Sequence, residues 1–283
     1  MPLFKYVPLE RLDILKNQEI RYTQPGALND PFEMSVFLEY LIEPGEFEAR
    51  ISANLPDFAA KEYEKLPPEQ RARIPLADFL SRATAATPAA LPVMYQAMQR
   101  LVPFVRAQLR RVDSEMGVLS LTATADNLLM WSHYAAQHRG MVIEFDERHP
   151  IFHERRTEQD DFRHLRPVVY SGTMPAITLD NFDVVDFILT KSSEWAYERE
   201  VRILKALSDS KRSISSIAPE YDIYLFDMPS TAVKRVILGA RTTPSEHELV
   251  YTTIMEAQHL RHIAVQLATL NDRTFGLTFI DYR

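Results

Sequence analysis

Strand-like runs follow one another along this chain with few helices between them, and one stretch, from Glu46 to about Arg111, has no strand pattern at all. Strands that succeed one another without regular crossover helices favour an α+β fold over a doubly wound parallel sheet. The expected architecture is a mixed, mainly antiparallel sheet core. It forms a single domain over residues 1–283, with a helical insertion at 46–112. The insertion is rich in Ala, Glu, Arg and Leu, and its prolines at 56, 67, 68, 75, 88, 92 and 103 predict short helices broken by proline. A lid, a partner-binding arm or padding are the roles open to it.

The strands are read from period-two alternation and apolar runs. Leu3–Val7, Glu19–Thr23, Gly117–Thr124 and Met141–Phe145 come first. Pro167–Ser171, Ala196–Leu204, Tyr221–Phe226, Val233–Leu238, Ile263–Ala268 and Thr274–Tyr282 follow, the last two as a hairpin. Helices are expected at Asn181–Thr190 and at Ser245–Ala257, with Pro244 just before the N-cap. Lys205–Glu220 is polar and serine-rich and reads as a mobile loop.

The chain has no cysteine, which excludes disulfides, zinc–thiolate sites and cysteine nucleophiles. Its formal net charge of −7 opposes a broad nucleic-acid footprint, so nucleic acid is not the expected partner. There is no secretory signal and no apolar run of about 18 residues, so no membrane span is expected and a cytoplasmic location is the default. Phosphate-cradling glycine loops and the G-x-S-x-G elbow are absent. His149 and His153 have helical metal-ligand spacing, but Pro150 lies between them and no third ligand is evident, so no metal is expected.

Three constellations carry candidate chemistry. The first is NLLMWSHYAAQHRGMVIEFD, residues 127–146, where rare Trp131 stands beside Ser132, His133 and Tyr134 and Gly140 breaks the run. His133 is a candidate acid or base near neutral pH, and Trp131 and Tyr134 a stacking wall. The second is EWAYEREVR, residues 194–202, which on a strand sets Glu198, Glu200 and Arg202 on one face. This is the best place in the chain for a catalytic acid, with a solvated sheet edge as the plain alternative. The third is the loop Asn29-Asp30-Pro31-Phe32-Glu33, in which Pro31 biases Asp30 toward an extended backbone. A structural turn is its plain reading. Delivery of Asn29, Asp30 or Glu33 to a site is the functional one.

These pieces occur in the order NDPFE, MWSHYA…G…EF and K…W-x-YE-x-E-x-R, and together they resemble a bacterial family of unknown function marked by those motifs. The resemblance covers about residues 3–36 and 117–205. A more remote similarity is to ADP-ribosyltransferase-like folds. There, a first strand supplies a residue for the NAD ribose, a middle Ser/Thr strand opens the nicotinamide pocket, and a late Glu steadies the positive charge on the sugar. That similarity implies Tyr6, Ser120 and Glu200 for the three roles, with Glu198 two residues before.

The expected function is therefore a nucleotide-processing enzyme, most concretely one that transfers ADP-ribose from NAD or hydrolyses NAD. NAD would be its substrate, with Glu200, Glu198 and His133 catalytic. Tyr6, Ser120, Trp131, Tyr134, Arg202, Asn29 and Asp30 would bind the substrate. The rival readings are a non-enzymatic regulator that binds a protein partner through 46–112 and a metal-dependent nuclease using Asp30, Glu198 and Glu200.

Overall fold

The computed structural model describes residues 2–33, 42–174, 184–216 and 221–283. They divide into two compact units. Among the described residues, 2–33, 111–174, 184–216 and 221–283 belong to the larger unit and 42–110 to the smaller.

The larger unit opens with strand β1 (Leu3–Val7), a short helix α1 (Asp13–Asn17) and strand β2 (Glu19–Tyr22). The smaller unit holds helices α2 (Pro44–Glu64), α3 (Pro68–Arg73) and α4 (Leu76–Gln99). Helix α5 (Val102–Glu115) then leads back to strand β3 (Met116–Thr122). Helix α6 (Leu128–Tyr134), strand β4 (Met141–Phe145) and two short strands, β5 (Arg166–Pro167) and β6 (Val169–Ser171), follow. Next come helix α7 (Val184–Ile188) and strands β7 (Thr190–Ser192), β8 (Glu200–Ala206), β9 (Arg212–Ile214) and β10 (Ile223–Asp227). Strand β11 (Val233–Leu238), helix α8 (Pro244–Glu256) and the hairpin β12 (Ala264–Leu270) and β13 (Leu277–Asp281) complete the chain.

The main sheet has eight strands in the order β13-β12-β11-β4-β1-β3-β8-β5. All its pairings are antiparallel except β11 with β12, so the fold is α+β with a mixed, mainly antiparallel sheet. Strand β4 sits near the centre, and Met141, Val142, Ile143 and Phe145 are fully buried there, as an apolar run on a sheet covered on both faces requires. Met141, Ile143 and Phe145 pack on the face that buries Val250 and Ile254 of α8. Val142 packs on the opposite face with Met130 and Trp131 of α6.

Four expectations are corrected. Prolines 56, 88 and 92 do not break their helices: α2 runs 21 residues through Pro56, and α4 runs 24 through Pro88 and Pro92. An interior proline costs about 3 kcal/mol. Here α2 and α4 pack against each other, with Phe47 on Tyr95 and Tyr63 on Phe79, each ring pair 5.4 Å apart, which opposes that loss. The polar stretch after Lys205 is not a loop throughout: β8 runs to Ala206 and β9 pairs with β10. The remainder of that stretch, 217–220, and the first part of the helix expected at Asn181, 181–183, lie outside the described residues. Helix α8 starts one residue earlier than expected. Thr243 is its N-cap and forms a capping box with Glu246, while Pro244 takes the first helical position. Finally, Ala196–Leu204 is not one strand. A 3-10 helix, Ser193–Glu198, precedes β8, and Arg199 between them is left-handed at φ 45°.

A candidate functional site where two strands part

The site forms because β1 and β3 barely pair. They share one register pair, Phe4 with Thr122, whereas β3 and β8 pair along their whole length, from Met116 opposite Ala206 to Thr122 opposite Glu200. Beyond Phe4 the ladder is replaced by a side chain, the Lys5 ammonium donating to the Ser120 carbonyl at 2.9 Å. The gap opens into a cavity of about 180 Å³. Thr122 stands opposite Glu200, and Ser120 opposite Arg202. Side chains two apart share a face, so Phe4, Tyr6, Ser120, Thr122, Glu200 and Arg202 all project from the same side of the sheet.

Seven residues proposed from the sequence line this cavity: Tyr6, Asn29, Ser120, Tyr134, Glu198, Glu200 and Arg202. Three more join them: Glu33, which the functional reading of the NDPFE loop allowed, and Lys5 and Lys191, which the sequence did not single out. Lys191 is the hub. Its amine lies 2.7 Å from Glu198, 3.3 Å from Glu200 and 3.2 Å from Glu33. Arg202 bonds Glu200 and Glu33, each at 2.7 Å, and its remaining arm donates to the Ile188 carbonyl. Glu198 also accepts from the Tyr134 hydroxyl at 2.6 Å, and that hydroxyl in turn accepts from Asn29. Lys191, Glu198, Glu200 and Arg202 are all buried, so the network is held in a low dielectric, where pairing is required.

Glu198 reaches this network by a route that differs from the expected strand alternation. The left-handed Arg199 turns the chain between Glu198 and Glu200, and Thr122 donates its hydroxyl to the Glu198 carbonyl. The two carboxylates therefore meet through Lys191 and not by sharing a strand face.

Charge in the cluster is set by these neighbours. Burial works against an ionised Glu200, but Arg202 and then Lys191 outweigh it and bring the carboxyl from 4.5 down to about 2. These neighbours favour the ionised form of Glu200. Burial likewise opposes charge on Lys191, yet Glu200, Glu33 and Glu198 raise its amine above the ordinary lysine value. Burial pushes the Glu33 carboxyl up, with Arg202 and Lys191 pulling the other way. Burial, then the bond to Glu198, lifts the Tyr134 hydroxyl. Burial lowers Lys5 from 10.5 to about 8, with Glu200 opposing.

Three proposed residues stand elsewhere. Trp131 is fully buried, donates its indole N–H to the Ala125 carbonyl at 2.9 Å and packs edge-on against Tyr6. It supports Tyr6 from behind and is not a wall of the cavity. His133 is exposed and faces the edge of Trp195, whose ring lies 4.7 Å from the Lys191 amine. It meets the network through that ring and through the edge of Tyr134, 6.1 Å away between ring centres. Asp30 is buried and lines a second cavity, on the other side of Glu33 and Lys191. Among the described residues, no group of three His, Cys, Asp or Glu side chains is arranged to hold a metal ion. His149 caps a 3-10 turn and His153 bonds the Glu147 carbonyl.

Signals for the missed residues were present. Lys191 begins the KSSEWAYEREVR motif, and Glu33 ends NDPFE. What the sequence lacks is any sign that residues 158 positions apart would form an ion pair. No helix among the described residues is long and apolar enough to cross a membrane. No curated protein and no solved structure matches the chain. Residues 130–203 match the model of a family described as protein of unknown function (DUF2971), and this span holds Tyr134, Lys191, Glu198, Glu200 and Arg202 while leaving the NDPFE loop outside.

Proposed function

We propose that the cavity between β1 and β3 binds the nicotinamide-ribose half of NAD and that the protein cleaves its N-glycosidic bond. The ADP-ribose passes to water or to an acceptor nucleophile. One observation carries this reading. Tyr6, Ser120 and Glu200 come from three adjacent strands, share one face and line one cavity. In the step, the bond from the sugar C1′ to the ring nitrogen breaks and its electron pair leaves with nicotinamide. Positive charge builds on the sugar, and the nucleophile then bonds C1′ and gives up its proton. A buried carboxylate that stays ionised, as Glu200 does, is the group such a charge calls for.

The test is to incubate the pure protein with NAD, alone and with protein and nucleic-acid acceptors, and to measure released nicotinamide. Release is expected, falling at least a hundredfold in Glu200→Gln, about the effect of losing one preorganised electrostatic partner. No release under any of these conditions, together with no NAD binding by calorimetry, overturns the reading.

A second reading concerns the helical residues, where Phe58, Val93 and Phe104 stand more than half exposed. Large exposed apolar side chains favour a protein partner there. A monomeric scattering profile, with no partner retained in a pull-down, would count against it.

A further inference from the structure

Three cationic side chains line the cavity between β1 and β3: Lys5, Lys191 and Arg202. Lys191 and Arg202 each meet a carboxylate at 2.7 Å. Lys5 has no ion pair among the described residues, and its one hydrogen bond runs to the Ser120 carbonyl. The reading above gives it no task.

Its surroundings make it a nucleophile. Burial lowers the amine from 10.5 to about 8; Glu200 pulls the other way, and Arg11 and Arg21 add to the lowering. At pH 7 about one such amine in ten is the free base, against fewer than about one in a thousand for an ordinary lysine. The free base donates one N–H to Ser120 and keeps a lone pair. A desolvated lysine of this kind is activated toward a carbonyl carbon.

The walls describe the rest of the guest. Asn29 donates to the Tyr134 hydroxyl, Tyr134 to Glu198, Thr122 to the Glu198 carbonyl and Ser120 to Glu200. With these donors committed, the wall offers acceptor oxygens, which suit a guest that brings hydroxyl groups. The space, about 180 Å³, holds a small one.

We propose that Lys5 forms a Schiff base with the aldehyde carbon of a small hydroxyaldehyde or open-chain sugar held in this cavity. The amine nitrogen bonds the carbonyl carbon, and the π pair moves to the oxygen, which takes a proton as the nitrogen loses one. The carbinolamine hydroxyl takes a further proton and leaves as water. The protonated imine that remains keeps its positive charge beside Glu200, where the ammonium stood. The proposal rests on this cavity and not on NAD cleavage. Where both hold, released ADP-ribose, ring-opened at C1′, is one such aldehyde.

The probe is glyceraldehyde, with propanal as the control that lacks hydroxyls. Each is incubated with the full chain and cyanoborohydride at pH 7, which reduces the imine to a stable amine, and modified lysines are located by peptide mass spectrometry. Lys5 should react at least tenfold faster than the exposed Lys16, Lys61 and Lys65. Its rate should saturate with glyceraldehyde while theirs rise linearly. Propanal should label Lys5 at least tenfold more slowly than glyceraldehyde. The wild-type map decides without any variant. Lys5 labelled no faster than the exposed lysines, a rate at Lys5 that does not saturate, or propanal labelling it as fast as glyceraldehyde each overturn the proposal. Saturable labelling without nicotinamide release from NAD would leave Lys5 standing and remove the NAD reading; release without labelling would do the reverse.

Discussion

Arg202 shows how little freedom a single residue has inside this network. Its guanidinium is 1% exposed and meets two carboxylates and a backbone carbonyl. Removing it leaves Glu200 and Glu33 leaning on Lys191 alone. Arg202→Met is expected to lower stability by about 3–5 kcal/mol, the cost of leaving one side of a buried pair uncompensated, and urea titration measures it. Arg202→Lys should recover only part, since one ammonium cannot replace a fork that bonds both carboxylates. Trp131 and His133, neighbours in sequence, should separate as sharply. Trp131→Ala removes a fully buried ring and its bond to Ala125, and about 3–5 kcal/mol should go with it. His133→Ala, at an exposed position, should change stability by no more than about 0.5 kcal/mol. A shift of several kcal/mol in the His133 variant would mean that its contact with Trp195 holds Lys191 in place.

At the level of elements, helix α6 carries both Trp131 and Tyr134 on the Phe4 and Tyr6 face of the sheet, the first in the core and the second in the cavity. Asn127 caps the helix by accepting from the Leu129 and Met130 N–H groups, and its amide ties the cap to the Tyr197 carbonyl. Gly140 does not end the helix. Ala136, Gln137 and His138 turn the chain through three successive left-handed residues, with φ of 47°, 58° and 69°. Gly140 is required for a different reason: a Cβ there would lie 2.3 Å from the Val7 carbonyl oxygen, a backbone atom that cannot yield. Two substitutions with opposite signs follow. Gly140→Ala should destabilise by at least about 1–3 kcal/mol, the range for overpacking. Ala136→Gly relieves a left-handed alanine that costs about 1–2 kcal/mol, against an entropic loss of about 0.5–1 kcal/mol, so its melting temperature should rise slightly. A fall on Ala136→Gly would show that the methyl group, and not the backbone, fixes this turn.

These elements also show what the sequence made legible. The strand runs, the hairpin and the α+β class follow from alternation, a local property that survives folding. Five of the site residues, Asn29, Tyr134, Glu198, Glu200 and Arg202, were readable because polar and aromatic types clustered in three motifs, and Tyr6 and Ser120 came from the remote resemblance alone. Trp131 was misassigned because rarity does not tell core from pocket. Glu198 was put on a strand because its alternation with Glu200 is unbroken in sequence, while the left-handed Arg199 that interrupts it has no local signature. Lys191 and Glu33 acquire meaning only when β7 and the NDPFE loop meet, and the parting of β1 from β3 is a tertiary fact with no residue to announce it.

For the molecule as a whole, the buried cluster makes stability depend on pH at both ends. Glu200 falls from 4.5 to about 2 on folding, so its contribution is complete above 4.5 and is lost as pH drops toward 2. Lys5 moves the other way for a lysine, from 10.5 to about 8. Between those values the unfolded chain binds the proton that the folded chain has released, so stability rises with pH across that window. Below pH 8 the ammonium, cut off from water, is a burden, offset in part by its bond to the Ser120 carbonyl and by the charge of Glu200. Both tryptophans, Trp131 and Trp195, lie in the sheet-bearing unit, so their fluorescence follows urea unfolding of that unit alone. The gap between wild type and Glu200→Gln should be full at pH 6 and narrow steadily below 4.5. Glu19 and Glu246, whose carboxyls are also lowered by their hydrogen bonds, keep some acid sensitivity in the variant. Lys5→Met should gain most on wild type near pH 7 and lose that advantage by 10.5. A Lys5→Met curve parallel to wild type from pH 7 to 10.5 would mean that the amine keeps its proton throughout, and that water or a bound anion reaches the parting of β1 and β3 to hold it.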